Sequence, residues 1–137
     1  MKYLKINLSN NASDFSILAS KLESFFKDNN TIDFLMPITL ILEELYTNTI
    51  THGASDGREV FVEVNLEIDK DELAITYKDN GIQFNVLELP EPDLQAPIET
   101  REIGGLGVHY IKFFTDSISY EYVEKNNVLK MKKKLNS

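Results

Sequence analysis

Between Val60 and Asp79 the chain carries two alternating runs separated by a short polar stretch. Val60, Val62, Val64, Leu66 and Ile68 alternate with Phe61, Glu63, Asn65 and Glu67, and Leu73, Ile75 and Tyr77 resume the pattern after Asp69 to Asp71. Successive side chains of a strand point to opposite faces, so each run has one buried face and one mostly wet face. Two such runs joined by a short turn predict an antiparallel hairpin. A sheet built on this hairpin is covered on one side only, and the helices of the chain must lie together on that side.

The remaining segments fit that demand. Leu4, Ile6 and Leu8 predict a first strand from Tyr3 to Leu8. Ser13 or Asp14 then caps a helix running to about Asp28, with Phe15, Leu18, Leu22 and Phe25 or Phe26 on its buried side. A second helix starts near Ile32, with Pro37 in its first turn or bending it, and ends at Gly53. Ile38, Ile41, Leu42 and Leu45 form its apolar face. Asn80 to Gly104 is irregular and holds three of the four prolines, which marks it as functional or mobile. A third helix spans Val108 to Phe114. A last hairpin is expected from Ile118 to Leu135, turning at Lys125 to Asn127. The sum is one domain, residues 1–137: a two-layer α/β sandwich with a mixed, mostly antiparallel sheet covered on one face by three helices.

Charge and composition exclude several partners. The net charge of −8 leaves no basic face for nucleic acid. The lysines at 130, 132, 133 and 134 alternate with Leu129, Met131 and Leu135 and read as the solvated side of an edge strand. The chain has no cysteine, hence no disulfide or thiolate metal site. No leader-like or membrane-spanning segment is evident, and a cytoplasmic location is the expectation.

Three places suit chemistry. Glu44, Asn48 and His52 follow one another at single-turn spacing beside the apolar face of the second helix. The Asn48 amide oxygen suits a hard Mg²⁺ ion, and Glu44 is placed to accept a proton. Glu43 points away, and His52 reads as a polar cap of the helix end rather than a catalytic group or a metal partner of His109. Asp79 is in phase with Leu73, Ile75 and Tyr77, so in a regular strand its carboxylate faces the helix layer and needs partners; by itself Asp79-Asn80-Gly81 also reads as a plain turn. Gly81 permits close approach of a backbone or a flat ligand. Finally, Gly104, Gly105 and Gly107 open a helix, where free backbone N–H groups favour an anion. Neither a P-loop nor a dinucleotide fingerprint fits this cluster.

In that order these motifs resemble a known set. ILEELYTNTITHG is similar to the N-box of the GHKL superfamily of ATPases and kinases, YKDNGIQF resembles its Asp-x-Gly box, and GGLGVHYIKFFTD its glycine box. The style of the first box resembles the anti-sigma-factor serine/threonine kinases most. The resemblance implies a Bergerat ATP-binding fold with ATP and Mg²⁺ as cofactors. It implies that Asn48 holds Mg²⁺, that Glu44 is the general base, and that Asp79 accepts a hydrogen bond from the adenine amino group with Gly81 close to the ring. Gly105, Leu106 and Gly107 would line the phosphates, and residues 80–103 would form the lid. The implied partners are a sigma factor and a STAS-type anti-anti-sigma factor, phosphorylated on serine or threonine. Members of the family commonly dimerise through the sheet.

The chain departs from the family pattern in two ways. The threonine that supports the adenine contact is absent from the final hairpin, which reads Lys125-Asn126-Asn127-Val128-Leu129-Lys130. Arg101 is the one arginine in the lid and is either the candidate, by position and charge, for reaching the terminal phosphate or a solvated lid residue. The missing threonine keeps a second reading open, a non-catalytic module that uses ATP to gate a protein partner.

Overall fold

A computed structural model describes residues 2–11, 13–88 and 105–135. Five strands form one sheet in the order β1-β2-β3-β5-β4: β1 (Lys2–Ser9), β2 (Phe61–Asp69), β3 (Glu72–Asp79), β4 (Ser117–Val123) and β5 (Asn126–Lys134). Helices α1 (Ser13–Asp28), α2 (Leu35–Asn48) and α3 (Gly105–Phe114) complete the described fold.

Every neighbouring pair of strands is antiparallel, where a mixed sheet was expected. The cause is the crossover through α3. It carries the chain from β3 past one strand position to β4, and β5 then returns into the gap between them. This corrects a second expectation: β5 is an interior strand, not an edge. Lys130, Lys132 and Lys134 lie on the open face of the sheet instead, where Lys130 approaches Glu121 and Lys132 approaches Glu72, each at 3.8 Å, while Lys133 lies on the helix side over the Phe114 ring.

The alternation seen in the sequence sets the register. Val62, Val64, Leu66 and Ile68 of β2 and Leu73, Ile75 and Tyr77 of β3 are all buried under the helices. Against them pack Leu18, Leu22 and Phe26 of α1 and Ile38, Ile41 and Leu42 of α2. On the open face, Lys5 pairs with Glu63 at 3.3 Å and the Tyr3 hydroxyl donates to Asn65. The helix before β2 enters through a 3₁₀ turn, Ile32–Phe34, and Pro37 sits in the first turn of α2, where a missing N–H costs no hydrogen bond.

The last hairpin turns earlier than the asparagines suggest. Val123 pairs with Asn126, so the turn is Glu124-Lys125, both with positive φ (51° and 66°). Such a two-residue turn prefers asparagine and glycine. Here both asparagines lie in β5 instead, and Asn127 has a buried use described below.

Candidate functional site

The site lies where the end of α2 meets the ends of β3 and β5. After Asn48 the helix does not stop. It widens into a π-turn, Thr49–Gly53, in which the Ala54 N–H reaches back to the Thr49 carbonyl. A wider turn places Thr49 and Gly53 against the sheet, and such turns are frequent at functional sites. It also breaks the row expected from the sequence. One turn past Asn48 no longer returns to the same face, and His52 swings out to the surface. There its ring stacks on Phe84 (centroids 5.2 Å apart, planes at 21°) and its side chain makes no hydrogen bond among the described residues, while its place in the last turn is the dipole-favoured one expected.

Two glycines close the junction. The Gly53 carbonyl accepts from Ile82 N–H at 3.0 Å. A Cβ on Gly81 would stand 2.8 Å from Gly53 Cα and 2.9 Å from Asp79 Oδ1. Gly81 is therefore required by the backbone of the helix end. Gly81→Ala is expected to cost about 1–3 kcal/mol of stability, because Gly53 Cα is backbone and cannot yield and Asp79 Oδ1 is tied into its hydrogen bonds. Urea denaturation measures this, and an unchanged midpoint would contradict the packing described.

Asp79 is 8% exposed and is the hub of a hydrogen-bond network. Its Oδ1 accepts from Gly81 N–H at 2.8 Å and from Asn127 Nδ2 at 3.0 Å. Its Oδ2 has one partner among the described residues, the Thr49 hydroxyl at 3.3 Å. Thr49 has a single proton, and the Leu45 carbonyl at 3.1 Å competes for it, while the Tyr77 hydroxyl lies 2.8 Å away and is placed to donate to Thr49. Oδ2 is thus the under-satisfied end of a carboxylate that lines a cavity of about 30 Å³ with Leu45, Asn48, Ile82, Phe84 and Tyr120. Burial raises the pKa of Asp79, and the donors Asn127, Gly81 and Thr49 oppose that shift.

Asn127 is the residue that sequence reasoning missed. It stands directly opposite Asp79 in the β3–β5 register. Its Nδ2 also donates to the Ile82 carbonyl at 3.0 Å, and its Oδ1 accepts from Phe84 N–H at 2.9 Å and from the Tyr120 hydroxyl. The available signal was its phase with Leu129 and Met131. Turn propensity masked it.

The phosphate-side candidates follow the sequence expectation in part. Glu44 is half-buried and Glu43 exposed, as their spacing requires. Asn48 is 9% exposed. Its Nδ2 and the Glu44 Oε1 are both sealed from solvent without a hydrogen-bond partner among the described residues. Burial first and the charge of Glu43 second raise the Glu44 pKa, and the Asn48 side chain is the neighbour that opposes the rise. Two orphaned polar groups one turn apart on a rigid helix need an explanation. A ligand or water oxygen would satisfy the Nδ2 donor, and the oxygens that suit a hydrated Mg²⁺ ion are the Asn48 amide oxygen and the Glu44 carboxylate. Gly105, Leu106 and Gly107 form the first turn of α3, whose leading N–H groups have no intrahelical partner. Gly104, Arg101 and the rest of 89–104 lie outside the described residues.

Comparison with known proteins shows the family and the fold. Residues 17–133 match the family described as the histidine kinase-like ATPase domain. The chain is 36% identical over 109 residues to an anti-sigma F factor of Clostridium perfringens (strain SM101 / Type A), covering 78% of this chain and 77% of that protein. It is 23% identical over 84 residues to the serine/threonine-protein kinase BtrW of Bordetella bronchiseptica, covering 61% and 59%. Among solved structures, the Acinetobacter baumannii histidine kinase AdeS shares the fold, with a TM-score of 0.53 at 17% identity over 100% of this chain and 69% of that one.

Proposed function

The chain belongs to the histidine kinase-like ATPase domain family, in its anti-sigma-factor branch, and from that premise we propose that it is an ATP-binding anti-sigma factor that phosphorylates a STAS-type anti-anti-sigma factor on serine or threonine. One observation carries the catalytic part: Glu44 and Asn48 present unfilled, buried polar atoms one turn apart, on the same helix whose π-turn touches Asp79. Asp79 reads the adenine amino group through Oδ2. Asn48 holds the metal. Gly105, Leu106 and Gly107 face the phosphates, and Arg101 is the candidate by charge for the terminal one. ATP supplies the phosphoryl group, and Mg²⁺ neutralises charge that builds on it. Glu44, with its raised pKa, takes the proton of the attacking hydroxyl. The relatives named as anti-sigma F factors support the sigma-factor partner, and the relative named as a serine/threonine-protein kinase supports transfer to protein.

The experiment is incubation with γ-labelled ATP, Mg²⁺ and a STAS-domain protein from the same organism. Label on a serine or threonine of that protein supports the proposal. ATP-dependent binding of the partner without label would favour the non-catalytic module.

Asn48→Ala separates a ligand role from a structural one. Because Nδ2 makes no hydrogen bond among the described residues, stability is expected to stay within about 1 kcal/mol. Mg²⁺-dependent nucleotide binding is expected to disappear. Thermal melting with and without Mg·ADP measures both, and retained Mg²⁺ dependence refutes the metal role.

A further inference from the structure

We propose that Tyr120 is a specificity-determining positioning residue: its hydroxyl locks the Asn127 amide in the orientation that keeps Asp79 a pure acceptor for an amino group. The inference rests on the ATP-binding reading and concerns which purine the site accepts.

An asparagine amide presents a donor end and an acceptor end, and a half-turn exchanges them. Asn127 faces Asp79 with the donor end, Nδ2 to Oδ1 at 3.0 Å. The opposite orientation would place two acceptors in contact and force a proton onto the carboxylate. The orientation is fixed at the other end of the amide, where Oδ1 accepts from two donors. One is the Phe84 N–H at 2.9 Å, and Phe84 belongs to the stretch leading from β3 into residues 89–104. The other is the Tyr120 hydroxyl, on a strand held in register, with Tyr120 opposite Leu129. Tyr120 and Asn127 are diagonal neighbours on the helix side of the sheet, so the tyrosine holds the amide independently of the loop.

The amide is thereby saturated. Its two protons go to Asp79 and to the Ile82 carbonyl, with the Gly81 carbonyl 3.3 Å away, and both lone pairs of Oδ1 are taken. Asn127 has nothing left for a ligand. Its effect on the ligand passes through Asp79, whose Oδ1 it occupies, leaving Oδ2 as the reading atom.

The test compares two nucleotides that differ only in the group Asp79 reads. ATP carries the 6-amino group, and purine riboside triphosphate lacks it. Calorimetric titration with Mg²⁺ is carried out on the unmodified protein, Tyr120→Phe and Asn127→Asp. Tyr120→Phe is expected to weaken ATP by about five- to tenfold, the loss of one hydrogen bond's worth of order, and to leave purine riboside triphosphate unchanged. Asn127→Asp keeps the acceptor for Phe84 and Tyr120 but loses the donor to Asp79, and is expected to show the same selective loss. Equal weakening of both nucleotides by Tyr120→Phe means a merely structural role and overturns the inference, as does no change in either. If the unmodified protein binds neither nucleotide, the ATP-site reading itself fails and the inference falls with it; selective ATP binding unaffected by both variants removes the inference alone.

Discussion

Asp79→Asn is expected to lower affinity for ATP by about 100-fold while the protein stays folded. The substitution changes one atom that matters. The new amide oxygen keeps the bonds from Gly81 N–H and Asn127 Nδ2, and the new amide nitrogen faces Thr49, whose hydroxyl is then free to donate to the Leu45 carbonyl. The fold loses no partner. The reading atom turns from an acceptor into a donor, so the adenine amino group loses a charge-assisted hydrogen bond worth about 1.5–3 kcal/mol and meets another donor. A carbonyl at the same ring position, as in guanine, suits the new donor, so the ratio of ATP to GTP affinity should fall below that of the unmodified protein.

Stability moves the other way. Burial raises the pKa of Asp79 in the folded protein above its unfolded value. Between those two values the folded state holds the proton longer, so this group's contribution to stability falls as pH rises, and above the folded value the penalty is complete. Neutralising the side chain removes that penalty. Asp79→Asn should therefore melt no lower than the unmodified protein at neutral pH. A variant that binds ATP normally, or that unfolds, contradicts the role assigned to Oδ2.

Glu44→Gln is expected to lower phosphoryl transfer by about 10²- to 10⁴-fold, the usual contribution of a general base, with nucleotide affinity within a fewfold of the original. Glutamine preserves the shape of the side chain but cannot accept the hydroxyl proton. The unmodified protein should also lose activity as pH falls through the Glu44 pKa, which burial and Glu43 hold above the ordinary carboxylate value. Single-turnover transfer measured across pH with both proteins checks this. Transfer at an undiminished rate by Glu44→Gln removes the residue from catalysis.

The parts of this molecule that follow simple periods were legible in the sequence. The alternation from Val60 to Tyr77 set the register, the buried face and the inward aim of Asp79, because a strand has a fixed period of two. The 3.6 period of α2 likewise separated half-buried Glu44 from exposed Glu43. Errors arose where the backbone leaves those periods or where one residue type serves two purposes. The π-turn after Asn48 carried His52 away from its expected row, and no local residue pattern announces such a turn. Asn126 and Asn127 carry strong turn propensity, yet the chain turns at Glu124-Lys125 and places Asn127 where Asp79 needs a donor. The edge status of β5 was decided by a crossover, which only the assembled sheet reveals. Gly81 was correctly read as a site of close approach, and the approaching group is the backbone of Gly53.

The central claim is that Asp79, fixed by Asn127, Gly81 and Thr49, forms an adenine-reading pocket beside Glu44 and Asn48. Isothermal titration of the unmodified protein with Mg·ATP and Mg·GTP tests it most directly. Saturable binding of ATP, dependent on Mg²⁺ and at least about tenfold tighter than GTP as one charge-assisted hydrogen bond requires, is the predicted result. Equal affinity for the two nucleotides, or no binding of either, would contradict the account.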